Sequence, residues 1–249
     1  MLGRCRRRVL VCDDGTPRNH TSHALHGYLS RDGVPPADLN ALGRAELARY
    51  GVQYRNARVI SAVREGHAFR VSLRSAPDEH ARFLLIATGV VDELPDVPGF
   101  EACYGRSIFH CPYCDGWEQR DRRLAVFGQG HSGVLLALAL KTWSPRVTLL
   151  THGRRLKPDA RGRLSRNGIG HIAPRLSRVM HDEGALTRVE FDDGSACELD
   201  ALFFTTGQHP RCDLASTLGC AFNRKGTVET GLFSETNIDG VFVAGDASR

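Results

Sequence analysis

Leu124-Ala125-Val126-Phe127-Gly128-Gln129-Gly130-His131-Ser132-Gly133 decides the fold class. The four apolar residues read as a strand buried on both faces, the glycines as a tight turn, and Val134–Trp143 as the helix that follows. G-x-G-x-x-G between a strand and a helix is a dinucleotide fingerprint. The first glycine makes the turn, the second lets backbone approach a pyrophosphate, and the third lets the helix pack on the strand. The free N–H groups of the helix start then face the phosphates. Gly128, Gly130, His131 and Gly133 are therefore assigned to cofactor binding. The competing reading is a glycine-rich turn without a ligand.

Outward from this segment the chain repeats itself. Val147–Leu150 runs into Thr151-His152-Gly153, as Val9–Cys12 runs into Asp13-Asp14-Gly15. Ala201-Leu202-Phe203-Phe204 stops at Thr205-Thr206-Gly207, as Phe83-Leu84-Leu85-Ile86 stops at Ala87-Thr88-Gly89. Short apolar runs ended by glycine are the parallel-sheet type. Alternating segments lie between them: Arg58–Val63 and Phe69–Leu73 in one copy, Leu176–His181 and Leu186–Phe191 in the other. These read as antiparallel meanders. The expected fold is α/β, with two Rossmann-like FAD/NAD(P)-binding domains, each carrying an antiparallel β meander.

The two copies differ where a ribose-binding acid belongs. Gly128 stands 25 residues before Gly153, and the same interval before Gly15 falls ahead of Met1. The first copy is therefore expected to have lost an opening strand and phosphate loop, or the given start to be a truncation. Its second strand ends in Asp13, suited to a ribose 2′-hydroxyl. The second copy has no acid there but Arg154 and Arg155, which favours the 2′-phosphate of NADP over NAD. Solvated loop charges are the alternative.

Phe109-His110-Cys111-Pro112-Tyr113-Cys114-Asp115-Gly116 is the second decisive stretch. Cys-x-x-Cys brings two thiols into reach of a reversible disulfide and commonly lowers one thiol pKa. Structural zinc needs further ligands at matching spacing, and no second Cys-x-x-Cys is present. A c-type haem needs His after the second Cys, where Asp115 stands. Cys-Pro-Tyr-Cys also occurs in glutaredoxins, there near the first strand of a small domain. Two inert core cysteines remain the plainest reading. No metal ligand set is assigned.

Asp13, Ala87-Thr88-Gly89, Cys111-x-x-Cys114-Asp115-Gly116, Gly128-x-Gly130-x-x-Gly133 and Val243-Ala244-Gly245-Asp246 follow one another in an order that resembles the low-molecular-weight thioredoxin reductases. These belong to the pyridine nucleotide–disulfide oxidoreductase superfamily, and the resemblance spans nearly the whole chain. It implies an FAD-binding domain over 1–103 and 234–249, and an NADP(H)-binding domain with the redox cysteines over 104–233 inserted in it. Gly245 and Asp246 match the pair that holds the flavin's ribityl and pyrophosphate region, Thr88 and Gly89 the turn near FAD, and Asp13 the adenosine-ribose acid. Arg18 and Asn19 lie where the chain passes the flavin. Cys114 is implied to face the flavin, Cys111 to exchange with substrate, and Asp115 to handle protons. The implied electron path runs from NADPH through FAD and the cysteine pair to a thioredoxin-like protein or a small disulfide, in a homodimer. The alternatives are a flavin-dependent dithiol oxidase using oxygen, and a non-catalytic NADP(H)-binding fragment. The family continues with a flavin-covering helix where this sequence ends three residues after Asp246; with the opening phosphate loop also missing, the chain is expected to bind FAD weakly or not at all.

Composition bounds the rest. The 249 residues are 41% hydrophobic and 24% charged, with a formal net charge of +5, an ordinary globular balance. The excess is arginine without a nucleic-acid-binding motif, so nucleic acid is not an expected partner. No run approaches the ~18 apolar residues of a membrane span. The basic N-terminus lacks the apolar stretch of a signal peptide, and a cytoplasmic location is expected.

Overall fold

The computed structural model describes residues 1–248; Arg249, the last residue of the expected FAD-binding segments, lies outside the described residues. The elements begin with β1 (Leu10–Asp13), α1 (Pro36–Arg49), β2 (Gln53–Asn56), β3 (Val59–Glu65), β4 (Ala68–Leu73), β5 (Ala76–Ala81), β6 (Leu84–Ile86) and β7 (Val90–Asp92). Then follow α2 (Phe100–Cys103), β8 (Ile108–Phe109), α3 (Pro112–Asp115), β9 (Leu124–Phe127), α4 (Gly130–Leu140), β10 (Val147–Leu150), α5 (Pro158–Arg166) and β11 (Gly170–Ile172). The chain continues through β12 (Leu176–Asp182), β13 (Ala185–Phe191), β14 (Ala196–Glu198), β15 (Ala201–Phe204), β16 (Gln208–Pro210), α6 (Leu214–Thr217) and β17 (Val241–Val243), and closes in a 3-10 turn at Gly245–Ser248.

Two compact units form. The first comprises Met1–His20, Ala37–Glu93 and 208–248, the second Thr21–Pro36 and Leu94–Gly207. These boundaries differ from breaks at 103/104 and 233/234, and packing explains why. Ala215, Cys220 and Val228 share a core with Phe69 and Val241 of the first unit, and β16 pairs antiparallel with β7. Val97, Phe100 and Cys103 instead pack with Val189 and Phe204 of the second.

The second unit holds a five-stranded sheet in the order β11-β10-β9-β15-β8, with every pairing parallel. Such strands are apolar throughout because both faces are covered. One face packs under α4, where Val134, Ala137 and Leu140 meet Phe109, Val126, Leu149 and Phe203. The other packs against the β12-β13-β14 meander, where Ala125, Leu150 and Phe204 meet Val179, Val189 and Phe191.

The first unit has the same parts in fewer pieces: parallel pairs β1-β2 and β6-β17, the meander β3-β4-β5, and β7-β16. Among the described residues β1 pairs only with β2 and β6 only with β17, so nothing takes the place that β9 holds between β10 and β15. Cys12 of β1 and Leu84 of β6 border one core cluster around Val71 and Leu73. The pair Leu85·Phe242 corresponds to Phe203·Phe109. The latter is buried beneath α4, whereas Leu85 is 57% exposed. The described residues of this unit carry no glycine loop of the Gly128–Gly133 kind.

Candidate active site

Steric contact explains the glycines of the β9–α4 turn. A Cβ on Gly133 would stand 2.6 Å from the Gly128 carbonyl carbon, and one on Gly128 would stand 2.9 Å from Gly133 Cα. Strand end and helix start therefore touch backbone to backbone, as a phosphate-binding turn requires. Gly130 adopts φ +57° with open space where a Cβ would be, a left-handed conformation that disfavours side chains. Gln129 caps α4 with no side-chain hydrogen bond, so no side chain competes for the first-turn N–H groups.

Beside this turn lies a cleft of about 490 Å³ lined by Gln129, His152, Gly153, Arg154 and Arg175. His152 Nδ1 accepts the Leu176 N–H at 3.0 Å. Burial first, and then the Arg175 charge, hold its pKa below the usual histidine value. Arg154 and Arg175 are exposed and supply the cleft's positive charge. Arg155 and His131 are exposed and do not line the cleft. Arg175 and Gln129 escaped the sequence reading. Gln129 is an unspecified position of the fingerprint, and Arg175 reaches the cleft from the turn between β11 and β12. The cleft suits a phosphate-bearing dinucleotide: a backbone cradle only glycines permit, with two guanidinium groups beside it.

The cysteines sit at the start of α3. Cys111 is the extended N-cap residue and Pro112 takes the first helical position, where its missing N–H costs nothing. Cys111 and Cys114 form a disulfide with Cα atoms 5.3 Å apart; Cys111 is half-buried and Cys114 exposed. A Cβ on Gly116 would stand 2.4 Å from Pro112 O and 2.8 Å from the Trp143 ring, which closes the turn tightly. Tyr113 is 83% and Trp117 65% exposed. Tyr113 sets its ring edge against Trp143 with centroids 5.5 Å apart, and the Arg120 guanidinium lies 4.4 Å from the Trp117 ring centre. Burial, followed by the charge of Glu118, pushes Asp115 up to about 6, against the lowering effect of His26.

In the first unit, three parallel strands end in expected flavin-site residues. Asp13 closes β1; its Oδ1 accepts the Gly15 N–H at 3.0 Å and its Oδ2 accepts the Tyr54 hydroxyl at 2.7 Å. Thr88 and Gly89 follow β6, where Gly89 has φ +69° and Cys212 Sγ lies 3.5 Å from Thr88 Oγ1. Gly245 and Asp246 follow β17, with Gly245 at φ +77°. Arg18 grips Asp92 with two bonds of 2.6 and 2.8 Å and reaches Asp246 Oδ2 at 3.0 Å. The buried Asp92 also accepts from Gln208 Nε2 at 3.0 Å. The structure thus joins Arg18 to Asp246, while Asn19 lies exposed in the adjoining turn. Asp92, Gln208 and Tyr54 went unassigned from sequence; the one local signal was an acid ending the apolar run Val90-Val91-Asp92. Ligands of open α/β sheets bind at the carboxyl ends of strands. Carboxylates and left-handed glycines at three such ends fit the ribose and ribityl hydroxyls of a flavin dinucleotide. Among the described residues no group of three or more His, Cys, Asp or Glu is placed to hold a metal ion, and no helix is long and apolar enough to cross a membrane.

A family model described as pyridine nucleotide-disulphide oxidoreductase matches residues 3–249. Thioredoxin reductase aclD of Aspergillus oryzae is 29% identical over 268 residues, covering 98% of this chain and 83% of that protein. Thioredoxin reductase of Bacillus subtilis is 27% identical over 249 residues, covering 96% and 78%. Among solved structures, HlmI superposes with a TM-score of 0.94 at 36% identity, covering 100% of this chain and 79% of that one. An oxidoreductase from Agrobacterium tumefaciens gives 0.91 at 30% identity, covering 100% and 84%.

Proposed function

The chain belongs to the pyridine nucleotide-disulphide oxidoreductase family, and from that premise we propose that it is an NADPH-dependent flavin disulfide reductase of the thioredoxin-reductase kind. The observation that carries this reading is the placing of the Cys111–Cys114 disulfide and the Gly128–Gly133 turn, with its arginine-lined cleft, in one compact unit. Bound NADPH and FAD would supply the hydride and two-electron chemistry. The turn's backbone would hold the NADPH pyrophosphate, and Arg154 and Arg175 the 2′-phosphate. Asp13 would accept from the flavin's adenosine ribose, and Gly245 and Asp246 would hold its ribityl region.

The chain's own chemistry is thiol–disulfide exchange. In the reduced pair, Cys111 as thiolate attacks one sulfur of the substrate disulfide; a mixed disulfide forms and the released sulfur takes the electron pair and a proton. Cys114 then attacks Cys111, restoring the internal disulfide and releasing the second substrate thiol. Two electrons and two protons reach the substrate in all. An acid that gains and loses a proton near neutrality serves both steps, and Asp115, held up at about 6, would take that role. The substrate proposed is a thioredoxin-like protein or a small disulfide.

The test is to saturate the purified chain with FAD, desalt it, add NADPH anaerobically, and then offer an aromatic disulfide that releases a coloured thiol. On the reductase reading, and against the weak FAD binding expected from sequence, flavin absorbance is retained, bleached by NADPH and coupled to thiol release. Cys111→Ser and Cys114→Ser should keep the bleaching and lose thiol release. Bleaching without thiol release by the wild-type chain, or no bleaching at all, overturns the reading.

A further inference from the structure

Asp115 is not an isolated acid. Glu118 follows it by three residues, and Glu118 Oε1 lies 3.5 Å from His26 Nδ1. His26 Nδ1 lies equally 3.5 Å from Asp32 Oδ1. Neither contact satisfies the ring nitrogen: His26 Nδ1 and Glu118 Oε2 are both buried atoms without a hydrogen-bond partner. Buried polar atoms are nearly always bonded, and leaving them unbonded costs stability. The fold tolerates two such atoms among the groups that act on Asp115.

The segment that carries His26 is pinned. Leu25 N–H donates to Val34 O at 3.0 Å, Gly33 N–H to Leu25 O at 2.9 Å, and Gly27 N–H to Asp32 Oδ1 at 2.8 Å. His26 is therefore held in place from outside the redox segment. The charged groups that act on Asp115 are Glu118, from its own stretch, and His26, from this loop; Asp32 faces His26 from within the loop. The Glu118 charge favours the protonated form of Asp115 and the His26 charge opposes it.

We propose that His26 is a positioning residue for disulfide exchange: paired with Glu118, it sets when Asp115 holds the proton destined for the leaving sulfur of the Cys111–Cys114 bond. This rests on the exchange chemistry proposed above but needs neither cofactor. With an external dithiol such as dithiothreitol, one reagent thiolate attacks Cys111 and the electron pair of the broken S–S bond passes to Cys114. Cys114 takes its proton from Asp115, and the second reagent thiol resolves the mixed disulfide. The reagent ends oxidised and the protein ends as two thiols.

The experiment measures the rate of Cys111–Cys114 reduction by dithiothreitol between pH 4.5 and pH 8, corrected for the reagent's thiolate fraction, in the full chain. The wild-type profile should bend where Asp115 titrates, near 6. His26→Gln removes the histidine's charge while keeping a hydrogen-bonding side chain, and should move the bend up by about half a pH unit to one unit. Glu118→Gln should move it down by about as much. Opposite shifts are not what a general loosening of the loop produces. Shifts in one common direction, or no shift, overturn the proposal; should His26→Gln fail to fold by circular dichroism, the sign of the Glu118→Gln shift decides alone. A wild-type disulfide that resists the dithiol at every pH would instead overturn the exchange reading itself.

Discussion

Arg175→Ala should weaken NADPH binding about tenfold and leave NADH binding within about twofold. Arg175 and Arg154 are the two cationic residues lining the cleft beside the glycine turn, and NADPH differs from NADH only by the 2′-phosphate. A charge-assisted hydrogen bond is worth about 1.5–3 kcal/mol. Both side chains are exposed, so solvent screening reduces each to about 1–1.5 kcal/mol, or roughly five- to twelvefold in Kd. Arg154→Ala should act similarly, and the double variant need not be additive because the two share one cleft. Arg155→Ala is the internal control: it carries the same charge but lies outside the cleft lining. The assay is titration calorimetry with NADPH and NADH at low and high salt, in which the arginine contribution to NADPH binding should shrink as salt rises. Equal losses for both nucleotides, or an Arg155→Ala effect as large as that of Arg175→Ala, would refute the reasoning.

Asp115→Asn should raise thermal stability near pH 7, by up to about 3 kcal/mol for the two-unit shift involved. An acid raised from 3.8 to about 6 contributes stability that is present below its unfolded value and lost as pH rises through the folded one, so the gain over wild type should vanish by pH 4 in melting curves. Gly133→Ala should abolish dinucleotide binding and destabilise by about 1–3 kcal/mol in urea titrations, because its Cβ would stand 2.6 Å from backbone. Phe204→Ala should cost about 3–5 kcal/mol by the same titration. Its ring is buried, edge-on to Phe100 at 5.1 Å and to Tyr104 at 5.9 Å, far more than any exposed apolar substitution should cost.

How much of the fold was legible follows from what each residue's signal depends on. Leu124–Phe127 and Ala201–Phe204 were readable because strands buried on both faces must be apolar at every position. Gly128 and Gly133 were readable because two backbones in contact exclude every side chain but hydrogen. The meander strands showed the alternation of half-buried sheets. β16 was not legible: Gln208-His209-Pro210 carries no strand pattern of its own and is extended because it pairs with β7, more than a hundred residues earlier. The same long-range packing drew Ala215, Cys220 and Val228 into the first unit.

The candidate site divides along the same line. Cys111 and Cys114 could be named from their spacing, and Asp115 from the family resemblance, because adjacency survives in the linear chain. Arg175, His26, Glu118 and the Asp92–Arg18 pair depend on distances closed by folding, and no local pattern records a contact between a loop and a strand end far apart in sequence. Sequence alone therefore marked the strand–glycine–helix turn and the Cys-x-x-Cys spacing, both set by local sterics and adjacency. Only the tertiary structure decided which cations line the cleft and which charges surround Asp115, because burial and Coulombic influence act through space rather than along the chain.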